Sequence, residues 1–143
     1  MAIYAFGIAG GVGTTGVASA EIRTAATGKP KLMEIGLSQT AATASTYGLG
    51  RPAAIGVTPT TPITVLDESD GGGPAGLTTT AIAWGTPPTV PVQFIRRVST
   101  PATIGAGIIW TFPRGLGIPI SNSLVVWNLG TNSVLTIYGV LDE

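Results

Sequence analysis

The stretch Gly11-Val12-Gly13-Thr14-Thr15-Gly16-Val17-Ala18-Ser19-Ala20-Glu21-Ile22-Arg23-Thr24-Ala25-Ala26 decides the fold class. Its first six residues spell G-x-G-x-x-G directly after the apolar run Ile3 to Ile8, which is how a dinucleotide-binding turn is announced. That turn needs a helix opening on its third glycine and an acidic residue roughly 20 positions further on. Glu34 meets the second condition loosely, 18 residues beyond Gly16. The helix is missing: Val17 to Ala26 is short, is closed by Thr27-Gly28, and alternates. Ala18, Ala20 and Ile22 fall on one side of it, and Ser19, Glu21 and Arg23 on the other, the two-residue period of a strand. No further βα units follow, and Val17 stands where a phosphate loop needs lysine. The glycine run reads as a flexible lead-in, with no nucleotide cofactor implied.

Outward from this strand the chain is all-β. Its 21 glycines and 11 prolines interrupt every run long enough for a helix, and β-branched residues dominate between them. Strands are expected at 17–24, 31–38, 62–67, 77–84, 90–98, 106–112, 123–129 and 133–141, with an additional one at 3–8. Turn chemistry separates them at Thr27-Gly28-Lys29-Pro30, Asp70 to Pro74, Gly85-Thr86-Pro87-Pro88, Pro113-Arg114-Gly115 and Gly130-Thr131-Asn132. This spacing predicts an antiparallel β-sandwich over 17–143, with a jelly roll favoured and an immunoglobulin-like sandwich the nearest competitor. Residues 1–16 read as an extended N-terminal arm, and 39–62, whose only charge is Arg51, as a long loop.

The 143 residues suffice for one domain. Without cysteine or histidine the chain has no thiolate chemistry, no disulfide and neither of the commonest metal ligands. Seven basic and seven acidic residues balance, with no charge run, so nucleic acid is not an expected partner. No apolar stretch approaches the ~20 residues of a membrane span, and the N-terminus lacks the basic region of a secretory signal. No membrane partner is expected, and the chain reads as soluble.

Charged residues are 10% of the chain, against about 25% in an ordinary soluble domain. Gly, Thr, Ala, Pro and Ser take their place, which points to a surface covered in an oligomer or assembly. Ser123 to Leu129 is apolar on both alternating faces. In Val134 to Leu141, Val134, Tyr138 and Val140 share one face and Leu135, Ile137 and Leu141 the other. A helix-free chain has little of its own to cover a second apolar face, so a neighbouring subunit is the economical source, with the long loops as the alternative. The expected interface residues are Ile3, Tyr4, Phe6 and Ile8 of the arm, Tyr47, Leu49 and Arg51 of the loop, and Trp127 and Tyr138.

Candidate chemistry is thin. Asp67-Glu68-Ser69-Asp70-Gly71 does not match a calcium loop and reads as a solvated hairpin tip. No opposed carboxylate pair is marked, and no base stands out to activate a serine or threonine, so no catalytic residues and no metal site are expected, and the protein reads as not an enzyme. Arg96 and Arg97 point to opposite faces of one strand, where one needs a partner, Glu34 being a candidate. Trp84, Trp110 and Trp127 read as core or interface packing.

Lys31 to Gly36, Gly48 to Ala54, Ala83-Trp84-Gly85-Thr86-Pro87-Pro88 and Ser123 to Asn128 together resemble small virion proteins of tailed bacteriophages, in particular head decoration (cement) proteins. The resemblance spans most of 19–143 and rests on packing and turn patterns. It implies a β-rich fold, a homo-oligomer with a trimer favoured over a dimer, and location on the capsid surface of the virion. It also implies a major capsid protein as partner, clamped by extended terminal arms, and brings no catalytic or ligand residues. Two alternatives stay open: a trimeric jelly-roll head or receptor-binding module of a fibre or tail, using 67–76 and 84–91, and a carbohydrate-binding sandwich.

Overall fold

In a computed structural model, described for residues 2–10, 16–68, 73–131 and 134–143, the chain is an antiparallel β-sandwich. One sheet takes β1 (Ile3–Ala9), β3 (Lys31–Gln39), β7 (Leu66–Asp67), β11 (Gly107–Gly117) and β13 (Leu135–Asp142), in the order β11-β3-β13-β1-β7. The other takes β2 (Val17–Thr24), β4 (Ser45–Gly50), β6 (Ile63–Thr64), β8 (Thr78–Ala81), β10 (Arg96–Thr100) and β12 (Ser123–Asn128), in the order β10-β4-β12-β2-β8-β6. A short ribbon of β5 (Val57–Pro59) and β9 (Trp84–Thr86) stands apart from both.

The core lies between the sheets, where alternation directs every second side chain inward. Tyr4 and Phe6 of β1, Leu32, Ile35 and Leu37 of β3, and Leu135, Ile137 and Leu141 of β13 come from one side. Ala20 and Ile22 of β2, Tyr47 and Leu49 of β4, and Leu124 and Val126 of β12 come from the other. Full burial of each large side chain stabilises by about 1.5–3 kcal/mol.

Several expectations are corrected. Ile3–Ala9 is not an arm: it pairs with β13 over its whole length, from Ile3 opposite Asp142 to Ala9 opposite Thr136. Tyr4 and Phe6 make this necessary, because the core needs their rings more than a docking arm would. Of the glycine motif at 11–16 only Gly16 is described, and residues 69–71 of the acidic tip at 67–71 also lie outside the described residues. The 39–62 segment is not all loop. Ser45–Gly50 is the strand β4, hydrogen-bonded on both sides to β10 and β12. Its glycines and serine hid a strand whose inward residues, Tyr47 and Leu49, are apolar.

The expected 62–67 strand is two short pieces in different sheets, and the 90–98 strand moves to 96–100. Pro113-Arg114-Gly115 is not a turn between strands. Phe112 to Gly115 bulge opposite Met33 while β11 continues, with Gly115 at φ 68°, which a side chain would strain. Pro113 is tolerated there because β11 is an edge strand with no further neighbour to receive an N–H.

Candidate functional site

The two sheets differ in what covers their outer faces. On the six-stranded sheet, Ala18, Val125 and Trp127 form a second buried cluster under Trp84, Phe94 and Leu129. The loop alternative therefore holds for β12: the chain covers that face itself. Gly48 and Gly50 of β4 make the approach close enough. A Cβ on Gly48 would stand 2.7 Å from the Phe94 ring, and one on Gly50 3.1 Å from Pro91.

Glu21 fastens the same cover. It is fully buried, and its carboxylate accepts from Ser123 Oγ (2.7 Å), the Trp84 indole Nε1 (2.6 Å) and the Gly56 backbone N–H (3.2 Å). Arg23 Nη1 lies 3.6 Å from the carboxylate and donates to the Gly56 carbonyl at 2.7 Å. A buried charge needs several such partners to remain ionised at low cost. Glu21 thus joins β2, β12 and the β5–β9 ribbon at one point.

The outer face of the five-stranded sheet has no comparable layer among the described residues. Strand register places its side chains in rows across the sheet. One row runs Leu66, Ala5, Val140, Glu34, Thr111, and the next Gly7, Tyr138, Gly36, Ile109. Ile109 is 58% exposed and Ile3 38%. The Tyr138 ring lies directly over Gly36, in space that any side chain at 36 would claim. Beside it is an open groove of about 500 Å³, floored by Gly36 and Gly107 and walled by Tyr138, Ile109 and Thr136.

Its polar content is small. The Tyr138 hydroxyl donates to Glu34 Oε1 at 2.8 Å, and this bond, with burial and the Glu34 charge, raises the tyrosine pKa above its ordinary value. Among the described residues no three acidic side chains gather to hold a metal ion, here or elsewhere. The face is suited to non-covalent contact with a flat, mostly uncharged surface.

The nine expected interface residues divide. Tyr4, Phe6, Tyr47, Leu49 and Trp127 are buried in the chain's own core and cannot touch a partner. Ile8 is half-buried at the core edge, and Arg51 is exposed at the end of β4, donating to the Gly117 carbonyl at 3.0 Å. Only Ile3 and Tyr138 lie on the open face. Ile109 and Gly36 were missed, although the strand period that placed Val140 beside Tyr138 applies to them too. Arg96 and Arg97 do not pair with Glu34: both are exposed, stacked 5.5 Å over the rings of Phe112 and Phe94. An edge strand lets each long side chain cover a ring while its charge stays in water.

No protein-family model, curated protein or solved structure matches the chain.

Proposed function

We propose that the chain is a structural virion protein of the decoration type, binding the outside of a tailed-phage head and stabilising contacts between major capsid subunits. The observation that carries this reading is the open outer face of the five-stranded sheet. The described residues spend two segments and a buried carboxylate covering one sheet, and on the other leave Ile109 and Ile3 exposed and Tyr138 and Val140 half-buried. With charged residues at 10%, this surface is fitted to lie against protein.

The strand order supports the same reading. Among the consecutive strands that cross between the sheets are the four pairs β1/β2, β3/β4, β10/β11 and β12/β13. Side by side they stand first, fourth, second, third, the order produced by rolling one long hairpin into a jelly roll, an architecture common among capsid proteins. Fold alone does not assign function, so the weight rests on the open face. A sugar-binding reading is less favoured because its natural platforms are engaged. Trp127 is buried, Trp84 is tied to Glu21, and Trp110 packs on the core.

Binding only the assembled shell stabilises that state over free subunits by mass action. The test mixes purified protein with shells that lack it and images them by cryo-electron microscopy. Symmetry-related density on the outer surface is the expected result, and bare shells at saturating protein would overturn the proposal.

A further inference from the structure

The net charge of zero conceals a separation of charge between the two lateral sides of the sandwich. β10 and β11 are edge strands of their respective sheets and consecutive in the chain, so they form one side; β6 and β7 form the opposite side in the same way. At ~4.8 Å per strand, β11 and β7 stand about 19 Å apart. The β10/β11 side carries Arg96, Arg97 and Arg114, all exposed, with Arg51 beside them. Their contacts are with carbonyls and rings: Arg51 with Gly117 O, Arg96 with Ile95 O and Phe112, and Arg97 with Phe94. The β6/β7 side carries Asp67, which accepts from the Gly73 N–H at 2.9 Å, and the exposed Glu68; the Glu143 carboxylate is engaged by the Leu77 and Thr78 N–H groups. Of the remaining cations, Arg23 is committed to Glu21, Lys31 stands opposite Asp142, and Lys29 is in the turn before β3. Glu34 is bonded to Tyr138.

Shape accompanies charge. Between Arg96 and Arg114 is an open hollow of about 330 Å³ with Phe112, Pro113 and Leu116 on its floor. On the opposite side, Leu66 is 73% exposed immediately before Asp67 and Glu68. An apolar side chain followed by carboxylates fits an apolar floor rimmed by guanidinium groups.

We infer that the chain associates with copies of itself head to tail: Leu66 of one copy enters the Arg96–Arg114 hollow of the next, with Glu68 meeting the arginines. A contact between two different patches is heterologous: repeated by a constant rotation it closes into a ring when that rotation divides a full turn, and otherwise runs on as an open filament. The chain's two sides are thereby an interface in which each copy offers both halves.

Sedimentation of the full chain tests this with Arg114→Glu, Glu68→Arg and the double variant. Both substitutions are at exposed sites, so circular dichroism is expected to be unchanged in all three variants. Each single reversal is expected to weaken self-association about tenfold or more, and the double variant to restore it. Leu66→Asp is expected to abolish it, and rising salt to weaken it in the wild type. A wild type that stays monomeric, or a double variant as weak as the singles, overturns the inference. So does a single reversal that leaves association intact and lowers shell binding, which would assign the charged sides to the capsid. Shell binding is read separately: rings that form but leave shells bare overturn the decoration reading alone.

Discussion

Glu21 and Tyr138 show how a few polar groups are used in a chain with little charge. Glu21→Ala leaves the Ser123 hydroxyl, the Trp84 indole N–H and the Gly56 N–H without their acceptor and the Arg23 guanidinium without its counter-charge. Loss of one partner from a buried charged cluster costs about 3–5 kcal/mol. For a chain this size the expected drop in Tm is about 10 °C or more, read by thermal unfolding under circular dichroism. A drop within a degree or two would mean that the cover is held by packing alone. Tyr138 makes a prediction about pH. Its folded-state pKa is raised, first by the bond to Glu34, then by burial and the Glu34 charge. The stabilisation is therefore fully present below the unfolded value of about 10 and is lost as pH rises through the higher folded value. Tyr4 is raised too, by burial and then by Asp67 and Glu143. Tyrosinate absorbance should show Tyr4 and Tyr138 ionising late, and Tyr138→Phe should remove one late transition.

β1 and β4 are the elements whose roles changed most between sequence and structure. Deleting residues 1–10 would leave a sandwich intact if β1 were an arm. Because β1 pairs with β13 over its whole length and buries Tyr4 and Phe6, deletion is expected to abolish cooperative unfolding. Truncating one buried aromatic costs about 3–5 kcal/mol, so losing two together with their strand is comparable to the whole ~5–15 kcal/mol of a typical domain. A truncated chain that melts like the full one would refute this. β4 was hidden for a related reason. Ser45-Thr46-Tyr47-Gly48-Leu49-Gly50 has the alternation of a strand, but two of its three outward positions are glycines. Those glycines read as loop until one sees Phe94 and Pro91 lying on them.

Across the whole molecule, the two outer faces and the two sides are distinguishable by experiment. Ile109→Glu sits on the open face at 58% exposure, so its effect on stability should stay within about 0.5 kcal/mol. Placed against a flat protein surface, the same carboxylate should abolish shell binding, measured by co-sedimentation with shells. Undiminished binding would move the docking surface away from this sheet. Ile109 belongs to β11, but its side chain stands on the open face and the Arg96–Arg114 hollow is lined by Thr111 to Leu116, so self-association should persist in Ile109→Glu. Arg114→Glu should have the converse effect on the rings.

Composition and local period were enough to establish an all-β chain, because strands, unlike helices, tolerate glycine and proline every few residues at their ends. They also located most strands, since Val17–Thr24, Lys31–Gln39, Ser123–Asn128 and Leu135–Asp142 each carry an apolar set at period two. The same period marked β12 and β13 as apolar on both faces, and there local information ends. Whether a second face is met by a loop of the same chain or left open depends on contacts between residues far apart in sequence. Trp84 and Phe94 reach Val125 and Trp127, while Ile109 stays exposed and Tyr138 half-buried. The charge balance was likewise legible as zero, but its division between two sides is decided by strand order, which brings β10 beside β11 and β6 beside β7 at opposite edges. Period is a property of neighbours in sequence, whereas cover, exposure and the side on which a charge falls are set by non-local pairing.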